Sequence, residues 1–93
     1  MTQIDVPEYL LDYNNQGMAY LGSGQYFDSF RNLNAAERLL RVADHPDIIS
    51  QEDHKKLMAL TYNNLGCYYK RSLKPNVALR YMNNSLAIEM RLN

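Results

Sequence analysis

The spacing of apolar positions along the chain predicts a protein made of helices. Pro7 suits the first turn of a helix starting near Asp5 or Val6, because the first helical N–H groups need no partner there. Beyond it, apolar or aromatic residues recur at helical spacing; they are Leu10, Tyr13, Gly17, Tyr20 and Leu21. A second such stretch, from about 25 to 43, carries Phe27, Phe30, Leu33, Ala36 and Leu40.

Residues that stop or start helices divide the chain into four segments. Gly22-Ser23-Gly24 suits a C-cap and turn, and His45 precedes a proline, which disfavours the helical region. Ser50 with Asp53 resembles a capping box, which predicts a third helix over about 51–72. Pro75 can begin a fourth helix that continues to the C-terminus. The predicted fold class is all-α, with two antiparallel helical hairpins.

One segment of the chain is repeated. DYNNQGMAYL, residues 12–21, returns 49 positions later as TYNNLGCYYK, residues 61–70. The matched residues are Tyr13, Asn14, Asn15, Gly17 and Tyr20 in the first copy and Tyr62, Asn63, Asn64, Gly66 and Tyr69 in the second. Matches at a single offset indicate an internal repeat.

The second copy resembles the tetratricopeptide repeat (TPR). Its Tyr62-x-x-Leu65-Gly66-x-x-Tyr69, followed by Ala78 and Met82, follows the TPR order of a large aromatic, Leu-Gly, Tyr, a small residue and a bulky residue. The first copy is the weaker match, because Gln16 and Ser29 depart from the pattern there. In the second copy, Leu73 departs from it. The resemblance implies one TPR-like domain, a short α-solenoid of two repeats over about 7–45 and 50–93. In it, Gly lets the paired helices approach closely and aromatic rings fill the space between them.

The 49-residue offset exceeds the TPR length of about 34 residues, leaving about 15 to place. The helix signals at His45-Pro46 and Ser50 predict that the surplus lengthens the second and third helices at their adjoining ends. Such elongated repeats are similar to those of kinesin light chains. A partly disordered insertion at residues 44–56 is the alternative.

The resemblance also implies a binding groove lined by the first helix of each repeat. The groove positions are Asn14, Asn15 and Met18 in the first copy and Asn63, Asn64, Cys67 and Arg71 in the second, with Lys70 at the edge. Leu11, Gly22 and Leu60 belong to the same set. Asn side chains carry donors and an acceptor that suit the backbone of an extended peptide. Alternatively, one Asn of each pair bonds a neighbouring helix.

Charge is unevenly distributed although the net charge is zero. Residues 1–30 carry four acids and no base, whereas residues 55–93 carry seven bases and one acid. Lys70, Arg71 and Lys74 can attract an acidic partner, or they can serve the negative end of a helix dipole. The TPR clamp for a chaperone's terminal carboxylates is not carried over, since its first-helix Lys and a third repeat are missing.

Other chemistry finds little support in the sequence. Cys67 is the single cysteine, and His45 and His54 have no zinc-ligand spacing with it. We expect no metal, cofactor or catalytic activity, since no phosphate loop or nucleophile motif is present. No signal peptide or membrane-spanning run is seen, which makes the cytoplasm the expected location.

These features favour a protein-interaction module in a scaffold or adaptor, binding a protein or peptide. The alternative is an oligomerisation element of a structural or cytoskeletal assembly, because the fourth helix is apolar over more than one face. Its predicted self-association residues are Leu79, Leu86 and Met90. We expect further repeats in a longer parent protein or a second copy to cover them. Helical-repeat RNA binding is least favoured, since two repeats with zero net charge lack a basic array.

Overall fold

Each helix of the protein begins and ends where the local sequence favours it. The computed structural model describes residues 4–92, which form four helices and no strand. Their bounds are α1 Val6–Gly22, α2 Tyr26–Val42, α3 Gln51–Arg71 and α4 Pro75–Leu92. The predicted fold class is confirmed: helices α1 and α2 form one antiparallel hairpin, and α3 and α4 form a second one stacked against it. Asn93, the last residue of the predicted second repeat, lies outside the described residues.

Side-chain caps fix the N-termini of α1 and α3. The Asp5 carboxylate accepts a hydrogen bond from the Glu8 N–H at 3.2 Å, and a proline occupies the first turn of α1. The Ser50 hydroxyl accepts from the Asp53 N–H at 3.1 Å, which confirms Ser50 as the N-cap of α3. Each bond satisfies one of the N–H groups that the first helical turn leaves without a partner.

The two hairpins repeat each other at the 49-residue offset. Helix α1 ends at Gly22 and α3 at Arg71, while α2 begins at Tyr26 and α4 at Pro75. The turns also agree in their hydrogen bonds: the Gln25 N–H donates to the Tyr20 carbonyl and the Lys74 N–H to the Tyr69 carbonyl, both at 2.9 Å. Backbone at positive φ occurs at equivalent positions, with φ 78° at Gly24 and 61° at Leu73. The sequence repeat is therefore a structural repeat.

A glycine lies at the helix crossing of each hairpin. A Cβ atom on Gly17 would lie 2.7 Å from Leu33, and one on Gly66 would lie 2.6 Å from Met82. Both distances are shorter than atoms tolerate, so the crossings require glycine. The small residues opposite, Ser29 and Ala78, are buried. This confirms the roles predicted for the glycines and the small residues of the repeat.

The connection between the hairpins corrects one prediction. Helix α2 ends at Val42, so the surplus residues lengthen α3 but not α2. Ala43 is the C-cap of α2 and precedes the His45-Pro46 pair. The Ile49 N–H donates a hydrogen bond to the His45 carbonyl at 3.0 Å. Ile49 is buried in the core, which makes the connection a packed turn. The alternative of a disordered insertion is wrong as well, since residues 51–56 are the first turns of α3.

An apolar core cluster lies where α1, α2 and the start of α3 meet. Its members are Val6, Leu10, Ala36, Leu40, Ala43, Ile49 and Leu57. Helix α3 contacts every other helix, whereas α4 packs on α3. His54 closes the end of α2, because its Nε2 donates to the Leu40 carbonyl at 2.8 Å while the ring is buried. The elongated start of α3 therefore joins the two hairpins.

Candidate functional site

The paired asparagines divide into a buried half and an exposed half. The Asn14 amide nitrogen donates to the Leu10 carbonyl and to the Thr61 hydroxyl, both at 2.9 Å. The Asn14 amide oxygen accepts from the Asn64 amide nitrogen at 2.9 Å. These bonds connect α1 to α3 across the two hairpins, and Asn14 retains 1% exposure. The network is therefore structural.

This network corrects two of the predicted groove residues. Asn14 and Asn64 cannot line an open groove, because both are buried and bonded to each other. The alternative that one asparagine of each pair bonds a neighbouring helix is confirmed. Asn15 and Asn63 are exposed, and neither is among the residues that line the cavity between α1, α3 and α4. Leu60 is also partly buried and packs against the core.

Five predicted groove residues do line one cavity. It has a volume of about 630 Å³ and is open to solvent between α1, α3 and α4. The cavity is lined by Met18, Leu21, Gly22, Cys67, Lys70, Arg71 and Met82. Of these, Leu21 and Met82 were not among the predicted groove residues. We call this the groove cavity.

The groove cavity joins an apolar floor to a basic edge. Met18 and Met82 provide flexible apolar surface, of the kind that adapts to different partners, and the almost fully buried Leu21 also lines the floor. Arg71 donates to the Leu21 carbonyl at 2.8 Å and so caps the C-terminal end of α1, where a cation is favourable. Lys70 is exposed at the same edge and makes no ion pair among the described residues. The helix-dipole role thus applies to Arg71, while Lys70 stays available to a partner.

Lys74, the third base of this segment, faces a different part of the surface. It lines a smaller cavity of about 230 Å³ together with Phe30, Tyr68 and Ser72. The predicted basic cluster is thereby split between two surfaces. Lys74 and Lys70 make a matched pair for mutation, since both are exposed lysines near the end of α3 and one of them is outside the groove cavity.

A second cavity, of about 400 Å³, lies between α2 and the second hairpin. It is lined by Glu37, Tyr62, Tyr69, Val77, Arg80, Tyr81 and Asn84. The Tyr69 and Tyr81 rings are stacked with centroids 5.5 Å apart, and the Tyr62 ring meets Tyr81 edge-on at 5.5 Å. We call this the tyrosine cavity.

A carboxylate completes the tyrosine cavity. The Tyr81 hydroxyl donates to Glu37 Oε2 at 3.1 Å, bridging α4 to α2. Burial, followed by the charge of Glu37 and this hydrogen bond, raises the pKa of Tyr81 to about 12. Burial also raises the pKa of Tyr62 and that of Tyr69. All three phenols therefore remain protonated at neutral pH, and Glu37 is the acceptor.

No group of three or more metal-ligating side chains lies together within residues 4–92. His54 is committed to the Leu40 carbonyl, and Cys67 is a half-buried thiol on the wall of the groove cavity. None of the described helices has the length and apolar character needed to cross a bilayer.

Comparisons with protein-family models, curated proteins and solved structures found no match. Sequence reasoning missed the tyrosine cavity, although Tyr62 and Tyr69 are two turns apart on α3 and so share a face. Its carboxylate comes from the other hairpin, and only the packing of α2 against α3 brings Glu37 to the rings.

Proposed function

We propose that this chain is a non-catalytic protein-interaction module, similar to a short TPR array, that binds an acidic peptide with apolar side chains in the groove cavity. The observation that carries the proposal is the cavity of about 630 Å³ in which Met18, Cys67, Lys70 and Arg71 come together. The equivalent turns and the glycine crossings at Gly17 and Gly66 support the TPR resemblance. A scaffold or adaptor of the cytoplasm or cytoskeleton is the corresponding role.

The partner's chemistry follows from the lining of the cavity. Met18, Leu21 and Met82 favour apolar side chains, while Lys70 favours a carboxylate beside them. Because Lys70 is exposed, its contribution is modest, about 0.2–1 kcal/mol, and salt weakens it. Most of the affinity must therefore come from apolar contacts on the floor.

Fluorescence polarisation with labelled peptides tests this proposal. The probes are peptides that alternate Glu with Leu or Met, and matched peptides in which Lys replaces every Glu. We expect the acidic peptides to bind and the basic ones to bind weakly. Lys70→Glu should weaken binding of the acidic peptides about fivefold or more, and added salt should reduce the difference.

Lys74→Glu is the matched control, because it makes the same charge change outside the groove cavity. It should leave the affinity within about twofold of wild type. Equal losses in the two variants would show that net charge, not the cavity, drives binding. A single-stranded RNA titrated in the same assay tests the least favoured function: tight, salt-dependent binding of RNA would overturn the peptide proposal.

Self-association is the second candidate, and it rests on the outer face of α4. Leu79, Leu86 and Met90 are 58%, 55% and 70% exposed. The residues 49 positions earlier on α2 are Phe30, Glu37 and Arg41. Phe30 packs on Tyr68, Glu37 bonds Tyr81, and Arg41 lines a cavity with His54, so all three meet the second hairpin. The α4 face is thus equivalent to the α2 face that the second hairpin covers, and a following hairpin or a second copy would cover it in the same way.

Sedimentation velocity over a dilution series tests this second candidate. If copies pair through α4, a concentration-dependent dimer should form, and Leu86→Glu with Met90→Glu should abolish it. Val42→Glu is the control, since Val42 is 77% exposed on α2 and outside this face. A monomer at every concentration would overturn self-association and leave the groove proposal standing.

A further inference from the structure

The tyrosine cavity has features of a cation site that the groove proposal does not use. Tyr81 is its centre: it is stacked on Tyr69 and approached edge-on by Tyr62, so aromatic surface forms one wall of the cavity. The face of an aromatic ring carries negative potential and attracts cations within about 6 Å of its centre. Val77 adds an apolar patch on the α4 side.

Glu37 adds a full negative charge to this wall. The carboxylate is half-buried, and its Oε2 accepts from the Tyr81 hydroxyl. No basic side chain forms an ion pair with it among residues 4–92. A half-buried carboxylate is normally paired, since removing a charge from water costs free energy. Glu37 instead has a neutral donor on one oxygen and a cavity of about 400 Å³ in front of it.

We propose that the tyrosine cavity binds an organic ammonium group, preferably a methylated one, between the Tyr rings and Glu37. Methyl groups on the nitrogen match the aromatic and apolar wall, and the positive charge is complemented by both the ring faces and the carboxylate. An inorganic cation is a poorer match, because the lining offers only one carboxylate as a charged oxygen ligand. The site is separate from the groove cavity, so it does not depend on the proposed peptide-binding function.

Two basic side chains oppose a cation: Arg41, which lines a neighbouring cavity together with Glu37 and Tyr62, and Arg80. Arg80 lines the tyrosine cavity but is exposed and unpaired in the described part of the chain, so its charge is largely screened by solvent. An anionic ligand would gain from Arg80 and lose against Glu37 and the tyrosine rings that line the cavity. This balance makes a distinct prediction: neutralising Arg80 should strengthen binding of an ammonium ligand and weaken binding of an anion.

Titration with choline, followed by NMR of the tyrosine rings, tests the proposal. The control ligand is the uncharged isostere of choline, in which a tert-butyl group replaces the trimethylammonium group. We expect choline to shift the ring signals of Tyr62, Tyr69 and Tyr81, and the isostere to bind at least about fivefold more weakly. Equal binding of the two ligands would overturn the proposal, since shape and not charge would then be recognised.

Variants locate the site. Glu37→Gln should weaken choline binding about fivefold or more, while Arg80→Gln should strengthen it about twofold. Asp28→Asn removes a carboxylate elsewhere on α2 and should have no effect beyond twofold. Tyr81→Phe keeps the aromatic ring and removes only the hydroxyl that bonds Glu37. It should retain choline binding, so it distinguishes loss of the site from loss of the fold. Unchanged affinity in Glu37→Gln, with the fold intact by circular dichroism, would overturn the assignment.

The source of the ammonium group is settled by a second ligand. A peptide bearing a trimethyllysine presents the same group on a protein chain. Tighter binding of this peptide than of choline would assign a methylated partner protein, whereas tighter binding of choline would assign a free small molecule. Failure of both ligands to bind would overturn the site without affecting the groove proposal.

Discussion

Helices α2 and α4 hold the same place in the two hairpins, yet they are buried differently. Helix α2 lies between α1 and α3, and its buried residues are Ser29, Leu33, Ala36 and Leu40. Helix α4 packs on α3, and only Ala78 and Ser85 are buried. The buried pair on α4 stands 49 positions after Ser29 and Ala36. Ser29 and Ala36 are thus matched by buried residues of α4, whereas Leu40 of α2 is also buried in the cluster that α2 forms with α1 and the start of α3.

This difference separates two kinds of information in the repeat. Helix ends, turn geometry and glycine crossings are set within a hairpin, so they recur in both copies. Burial of the outer face depends on what lies next in the stack. Matched substitutions at equivalent positions therefore test how far the two hairpins differ in their tolerance of a change.

The glycine crossings should show the largest effect. Gly17→Leu would force atoms into Leu33, which is fully buried and cannot move aside, so we expect a loss of about 3 kcal/mol or more in the free energy of unfolding. Gly66→Leu meets the flexible, half-buried Met82 and should cost less, about 1–3 kcal/mol. Chemical denaturation of both variants gives the two values.

Gly22→Leu is the control for this pair, since nothing lies within 4 Å of a Cβ at that position. It should unfold close to wild type. A larger loss at Gly66 than at Gly17 would contradict the view that the first hairpin is the more tightly enclosed of the two.

Local signals made most of the fold predictable. Ser50 as an N-cap, the turn at Gly22-Ser23-Gly24 and the proline at 46 each act over a few residues, so the helix bounds could be read from the sequence within one or two positions. The end of α2 was predicted near residue 43 and lies at Val42, so the error was to assign part of the surplus residues to α2. Those residues instead form the turn that places Ile49 in the core and the first turns of α3.

The candidate sites were predictable only in part, because they depend on contacts between hairpins. Met18, Cys67, Lys70 and Arg71 share a cavity because the repeat register placed them on facing helices. The same register does not predict which asparagine of each pair is buried. The stacking of α1 on α3 pairs Asn14 with Asn64, which are 50 residues apart and thus one position off the repeat.

The asparagine pairs give the next largest effect. Asn14→Ala removes a buried side chain that bonds Thr61, Asn64 and the Leu10 carbonyl, and it takes away the acceptor of the buried Asn64 amide nitrogen. We expect a loss of about 1–3 kcal/mol in the free energy of unfolding. Asn15→Ala, the exposed neighbour on the same helix, should change it by less than about 0.5 kcal/mol.

A double-mutant cycle sharpens this comparison. Asn14→Ala combined with Asn64→Ala should cost less than the sum of the single losses, with a coupling of about 0.5–3 kcal/mol. Strict additivity would mean that the two amides do not bond across the hairpins. Asn15→Ala combined with Asn63→Ala supplies the matched additive pair.

Ser29 and Ala78 occupy equivalent crossings and differ by one hydroxyl group. The Ser29 hydroxyl is buried and has no hydrogen-bond partner. Ser29→Ala should therefore raise the free energy of unfolding by about 1 kcal/mol, by removing an unsatisfied group and improving helix propensity. Ala78→Ser should lower it by a similar amount. Thermal or urea unfolding of both variants measures the exchange, and a destabilised Ser29→Ala would show that the hydroxyl finds a partner in solution.

The turn residues should show the smallest effect. Gly24 and Leu73 both have positive φ, a conformation that costs an L-residue about 1–2 kcal/mol and glycine almost nothing. Leu73 is 87% exposed, so its side chain contributes little packing to offset that cost. Leu73→Gly should stabilise the protein by about 0.5–1 kcal/mol, since the greater flexibility of glycine in the unfolded chain cancels part of the gain. Gly24→Ala should destabilise it by about as much, because open space around Gly24 leaves φ as the only obstacle. Urea unfolding resolves the two changes by their opposite signs. Loss of stability in both variants would mean that Leu73 makes an apolar contact in solution, at the outer surface of the second hairpin.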